Sequence, residues 1–246
     1  MFTRLLYLFG FYIIILIING CSSGREVKNE NKSENKSENI RVKEIFNHAA
    51  EERKYIKENK IKEIEKVSFI LDENGNPVKG EKLSTIRYNP DGFMTETDIY
   101  NSNGQVEYIY SYDYQNNLRV KTTRYTKDGK ADKYYTYDYN KYKNKNKSTR
   151  YNFNQDMDKY YTYDYDDSGN LIKENWYDKS GKEEYSVEYE YDENGHKTSA
   201  ESYNEDDDLI YKYQFKYDSS GNIIEEEKYD PDGDKTGIIQ YIYRYY

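Results

Sequence analysis

The chain has 246 residues, a formal net charge of −9 and 34% charged side chains, and 33 of its residues are tyrosine. The acidic balance excludes the clustered Lys and Arg that a phosphate backbone demands, so no nucleic-acid partner is expected. A single cysteine excludes a disulfide framework and a cysteine-based metal site. Aliphatic side chains are few beyond the first 21 residues, while a 17% aromatic fraction separates the chain from disordered sequences, which are poor in rings.

Residues 1–21 read MFTRLLYLFGFYIIILIINGC, with Arg4 ahead of an apolar run from Leu5 to Ile18. A charged start, a short apolar stretch and small or polar residues at the cut describe a secretory signal peptide over 1–20. The run is shorter than the roughly 18–20 residues a membrane span needs. IINGC resembles the lipobox of bacterial lipoproteins, which implies cleavage before Cys21 and acylation (palmitate) of that residue. The membrane is then a partner through the lipid anchor, each buried methylene contributing ~0.8 kcal/mol. Ser22 follows with no acidic retention signal, which points to the outer membrane or cell surface over the inner membrane.

After Cys21, residues to 39 are polar, repeat Glu-Asn-Lys-Ser and read as a disordered tether. Residues 40–60 form a helical segment: Val42, Ile45, Phe46, Ala49 and Ile56 fall at helical spacing and predict a helix over about 41–58. His48 lies on it and reads as a structural residue.

From residue 61 to 246 the chain repeats. Tyr88, Tyr114, Tyr139, Tyr165, Tyr191, Tyr217 and Tyr243 follow one another at 25 or 26 residues, and a second register runs Tyr100, Tyr125, Tyr151, Tyr177, Tyr203, Tyr229. Most are followed four residues later by glycine, as at Gly92, Gly169, Gly195 and Gly221, with turn formers between. Tight turns every 12 to 14 residues leave strands of about eight residues and force antiparallel neighbours. The expected fold is therefore all-β, an antiparallel meander of ~26-residue tandem repeats making about a dozen strands in an extended or curled sheet. Where glycine is missing, in YNKYKN, YNFNQD and YNEDDD, looser turns are expected.

YTYDYDDSGNLIKENWYD, YEYDENGH and KYDSSGNIIEEEKYDPDG resemble the YD repeats of the RHS family over roughly Tyr88 to the C-terminus. That resemblance implies a β-sheet scaffold, built in large members into a shell around a toxin or into an extracellular adhesion structure. The period here is longer than the usual YD unit and no toxin-like domain follows Tyr246, so six units predict an unclosed sheet.

Alternation places aromatic side chains on one face of every second strand. Tyr110, Tyr112, Tyr135, Tyr137, Tyr161, Tyr163, Tyr189, Tyr213 and Tyr241, with the single tryptophan Trp176, are the candidate ligand-binding aromatic face if the rings do not form the core. The terminal IIQYIYRYY reads as an unpaired edge strand open to strand addition. Asp230, Asp232 and Asp234 alternate in one turn, a weak calcium pattern lacking the bidentate Glu that such loops use. No catalytic residue and no cofactor are expected: the two histidines sit in a helix and a turn, and no nucleophile elbow or phosphate loop is present. The functional expectation is a non-catalytic, membrane-anchored surface or periplasmic interaction or adhesion scaffold with a protein or glycan partner. The alternative is an immunity or accessory lipoprotein capping a secreted toxin or envelope partner through its C-terminal edge or acidic face.

Overall fold

The computed structural model describes residues 47–78 and 80–246. Cys21, the tether and residues 41–46 of the expected helix lie outside them. The helix α1 (His48–Glu58) is followed by β1 (Ile61–Ile70), β2 (Glu81–Tyr88), β3 (Met94–Tyr100), β4 (Val106–Gln115), β5 (Leu118–Thr126), β6 (Ala131–Tyr139) and β7 (Lys145–Asn152). The second half supplies β8 (Met157–Tyr165), β9 (Leu171–Asp178), β10 (Glu183–Tyr191), β11 (Lys197–Asn204), β12 (Leu209–Tyr217), β13 (Ile223–Tyr229) and β14 (Lys235–Tyr245).

Every strand pairs antiparallel with the next, and β14 returns to pair with β1, so the meander closes into a barrel. This corrects two expectations. The sheet is neither extended nor merely curled, and the terminal strand is no free edge: Tyr241, Tyr243 and Tyr245 lie opposite Lys66, Ile64 and Ile61. Closure removes the exposed N–H and C=O row that an edge would carry. The Tyr246 amide donates to the Lys60 carbonyl at 2.9 Å, and the Arg244 guanidinium pairs with Glu63.

The tyrosine–aspartate pairs now have a mechanical meaning. The Asp or Asn after the register tyrosine turns its carboxyl or amide oxygen back onto the two backbone amides ahead. Asp166 accepts from Ser168 and Asn170, both at 2.8 Å, and Asp218 accepts from Ser220 and Asn222 at 2.8 and 2.9 Å. Such Asx turns are the reason these residue types recur at hairpins. The turns without glycine are built the same way. Lys143, Gln155 and Asp207 stand at φ 66°, 70° and 62°, in the left-handed region, and each donates its amide three residues back as the glycines do. The expected loosening is absent because the Asx oxygen and the two flanking ladders hold the conformation.

The first-register tyrosines point into the barrel, and their hydroxyls reach back 20 residues to a backbone carbonyl. Tyr139 donates to Arg119, Tyr165 to Lys145, Tyr217 to Lys197 and Tyr243 to Ile223, each at 2.8 Å, and Tyr191 to Leu171 at 2.9 Å. A second inward column works over 15 residues: Tyr112 donates to Thr97 and Tyr137 to Thr122 at 2.7 Å, and Tyr163 shares 2.8 Å with Ser148. Where that column has Ala200 and no acceptor, the ring 15 residues on is Phe215, which has no hydroxyl to satisfy. The second register faces outward instead, where Tyr177 stacks on Tyr160 at 4.8 Å and Tyr151 on Tyr134 at 5.0 Å.

The outer face is charged. Lys173 pairs with Glu188 at 3.0 Å, Lys212 with Glu201 at 2.7 Å, and Lys216 with Glu225 and Glu227 at 2.9 and 2.8 Å. This is the inverse of the apolar band that a lipid-embedded barrel presents.

Two stability predictions follow from the inward columns and the turns. Gln155→Gly relieves a left-handed residue worth roughly 1–2 kcal/mol, offset by glycine's extra chain entropy of roughly 0.5–1 kcal/mol. Denaturant titration should therefore show a stabilisation of a few tenths to about 1 kcal/mol. Phe215→Tyr should destabilise by about 1–3 kcal/mol, because its new hydroxyl is buried opposite Ala200 with nothing to receive it.

Candidate functional site

The helix lies across one mouth of the barrel. Asn47 caps it, its side-chain oxygen accepting from the Ala50 amide at 3.1 Å. Ile56 is 1% exposed and anchors α1 on the core that includes Ile61, Ile64 and Tyr88. Polar contacts then tie α1 to turns around the rim. Tyr55 donates to Asn222 and to the Ser220 carbonyl, Arg53 to the Asn117 carbonyl at 3.3 Å, Asn47 to the Tyr142 carbonyl at 3.3 Å, and Lys57 to Asp91 at 3.1 Å. At Gly92, φ +82°, a Cβ would stand 2.2 Å from the Arg53 carbonyl oxygen, so the close approach of helix to rim requires glycine.

Between α1 and the wall of β4–β9 lies a cavity of about 210 Å³. Glu52 and Arg53 of the helix roof it, and Arg119, Lys145, Glu174 and Trp176 line it among the inward tyrosines. Trp176 packs edge-on to Tyr161 at 5.3 Å and donates its indole N–H to Glu174 at 2.9 Å.

Its cations rest on rings. The Arg119 guanidinium lies 4.5 Å from the Tyr112 ring centre and donates an Nη to the Met94 sulfur at 3.1 Å. Lys145 Nζ sits 3.8 Å over Tyr163. Beyond the cavity the pattern continues around the barrel, with Lys197 4.0 Å over Tyr189, and Lys66 4.4 Å over Tyr241 and 3.7 Å from Glu226. Cation–π contacts of this kind strengthen when desolvated. Among the described residues no ion pair is formed by Arg119 or Lys145. Glu52 Oε1, Tyr88 Oη, Arg119 Nε and Glu174 Oε2 line the same cavity, buried and without a protein hydrogen-bond partner.

Burial sets the protonation of these groups. It raises the Glu52 and Glu174 carboxyls to about 7, against the opposing pull of Arg119 on Glu52 and of Lys145 on Glu174. It lowers the Lys145 and Lys197 ammonium groups to about 8. The Tyr88 and Tyr163 hydroxyls are pushed far up by the same desolvation.

The aromatic residues singled out from sequence divide between two places. Tyr110, Tyr112, Tyr135, Tyr137, Tyr161, Tyr163 and Trp176 line the cavity, while Tyr189, Tyr213 and Tyr241 pack in the barrel core away from it. None forms an exposed platform: the face expected on the surface is the inside of the barrel, Tyr110 being 3% exposed and Tyr112 9%. The calcium pattern is also corrected. Asp230 spends its Oδ1 on the amides of Asp232 and Asp234, at 3.2 and 2.9 Å, and no acidic cluster suited to a metal occurs among the described residues. Sequence reasoning missed Arg119, Lys145, Glu174 and Glu52. The signal was present in two columns, Arg119–Lys145–Leu171–Lys197–Ile223 and Thr122–Ser148–Glu174–Ala200–Glu226, where charge replaces an aliphatic or a small side chain at the repeat spacing.

No protein-family model and no curated protein matches this chain. Among solved structures, a porin-like protein from Bacteroides uniformis is 12% identical, covering 75% of this chain and 98% of its own, with a TM-score of 0.44. A DUF1329 family protein from Desulfovibrio piger is 11% identical over 80% of this chain and 90% of its own, at 0.34. A TcdB2-TccC3 structure is 12% identical over 68% of this chain and 13% of its own, at 0.29. At these scores the likenesses carry no functional inference, and the chemistry must come from the barrel's own side chains.

The raised carboxyls tie stability to pH. Unfolded, Glu174 loses its proton near the ordinary 4.5, whereas folded it keeps it to about 7. Folding therefore binds a proton across that window, and stability falls as pH rises from 4.5 to 7. Glu174→Gln should flatten this slope, gaining most over the native protein at pH 7–8 and little at pH 4.5, by a difference of order 1–3 kcal/mol in denaturant titrations.

Proposed function

We propose that the protein is a non-catalytic ligand-binding barrel, held at a bacterial cell envelope through acylated Cys21, that receives a small molecule in the cavity beneath α1. The observation that carries this reading is the set of buried, unpartnered polar atoms converging on that cavity. An orphaned buried donor or acceptor costs about 1–3 kcal/mol, so a fold that keeps several in one pocket is arranged for something that satisfies them. Perturbed acids and bases gathered in a cleft also mark functional sites more often than structural ones. Apolar walls with a few convergent polar groups are the ordinary make-up of small-molecule sites.

The interaction scaffold expected from the repeats is thereby narrowed to binding inside the barrel. The capping alternative loses its edge strand, since β14 is paired on both sides. Envelope attachment is supported by the signal peptide and the IINGC sequence, and the charged exterior suits a barrel that stands in water beside the membrane.

Trp176 lines the cavity and is the chain's single tryptophan, so its emission reports on occupancy. A small-molecule library screened against the full chain should yield ligands that shift Trp176 emission and raise Tm. At 100 times Kd the stabilisation is about 2.7 kcal/mol, or roughly 5–10 °C for a domain of this size. Ligands that raise Tm while leaving Trp176 unmoved, or no ligand at all, would overturn the assignment of the cavity.

A further inference from the structure

We propose that the ligand is a monoanion, a carboxylate carried on a six-membered ring, with Arg119 and Lys145 receiving the carboxylate and the tyrosine walls holding the ring. This inference rests on the binding reading above and names its ligand class.

The two cations enter the cavity from neighbouring odd strands, β5 and β7, and each is desolvated against rings instead of neutralised by an acid. Arg119 keeps Nε unpartnered, and its Nη donates only to a thioether, a weak acceptor that a carboxylate oxygen displaces. A guanidinium edge and a carboxylate match in planar, two-point fashion, which makes arginine the usual residue for this recognition.

The sign and size of the charge follow from the other groups at the site. Glu52 and Glu174 reach the same space, so a dianion such as a phosphate monoester would meet two acids. A ligand cation would be desolvated beside Arg119 and Lys145. One negative charge fits between these limits. With both carboxyls near 7, they also serve as proton donors to ligand oxygens at neutral pH and below.

The cavity's dimensions complete the description. About 210 Å³, at ~10–15 Å³ for a water-sized group, admits a molecule of roughly fifteen to twenty non-hydrogen atoms. Tyrosine faces and the Trp176 edge form its walls, and ring-on-ring packing suits either an arene or the apolar face of a sugar. Arenecarboxylates and uronic acids share this chemistry.

The test is a Trp176 emission titration of the full chain with matched pairs: benzoate against benzamide, and glucuronate against glucose. Phenyl phosphate serves as the dianion. In at least one pair the carboxylate should bind about tenfold tighter than its neutral twin, and Arg119→Gln should bring that ratio to within about twofold. Lys145→Gln makes the same test if the first variant does not fold. The carboxylate's affinity should fall by about fivefold or more between pH 6 and pH 9, as Glu52 and Glu174 ionise and Lys145 discharges. Benzoate pairing would indicate an arene site and glucuronate pairing a sugar site. Equal binding of both twins, or stronger binding of phenyl phosphate, would overturn the monoanion while leaving the binding cavity in place. Silence of Trp176 across the whole series, alongside hits from the wider library, would likewise overturn only the ligand class. Silence in both would overturn the cavity as well.

Discussion

A tyrosine inside a closed barrel brings a hydroxyl that water cannot reach, and the rest of this structure follows from placing those hydroxyls. Burial of an unpaired hydroxyl is costly, so each inward tyrosine needs an acceptor at a fixed offset. The repeat provides it twice, through a backbone carbonyl 20 residues back and a Thr, Ser or Glu side chain 15 residues back. Both offsets are set by the hairpin length, which explains why the period is held to 25 or 26 residues. A ring wall of this kind takes the place of the aliphatic core that the composition cannot supply.

Departures from that rule mark where the barrel does something besides hold itself together. Phe215 opposite Ala200 is a consistent local exception, with donor and acceptor lost together. Tyr88, Tyr189, Glu52, Glu174 and Arg119 are different, because polar atoms are buried and left unanswered. Four of these five border the cavity under α1. The inward charges are stabilised by rings and by each other across a low-dielectric interior, an environment that moves acids up and amines down until both titrate near neutrality.

The helix is the second determinant of the site. Without α1 the mouth of the barrel would open onto solvent, and the cations of β5 and β7 would be hydrated and ordinary. Its anchoring is asymmetric: Ile56 and Tyr55 seal the arc near β1, β2 and β13, whereas Arg53 and Asn47 bridge the opposite rim through single hydrogen bonds. The cavity lies under the lightly tied side.

Local rules were legible in the sequence. Tyrosine followed by Asp or Asn and then glycine specified each Asx turn, the period-2 alternation specified which rings share a face, and the spacing of Ala49 and Ile56 specified the helix face that meets the barrel. These depend on residues within a dozen positions of each other. Closure did not, because whether fourteen twisted strands curl far enough for β14 to meet β1 depends on twist and stagger accumulated over the whole sheet. Which face became the inside followed from closure, and so did the meaning of the charges. Arg119, Lys145 and Glu174 read as ordinary solvated residues of a charged chain until the barrel turned them inward, since a side chain's charge is written in sequence but its dielectric is decided only by what surrounds it in space.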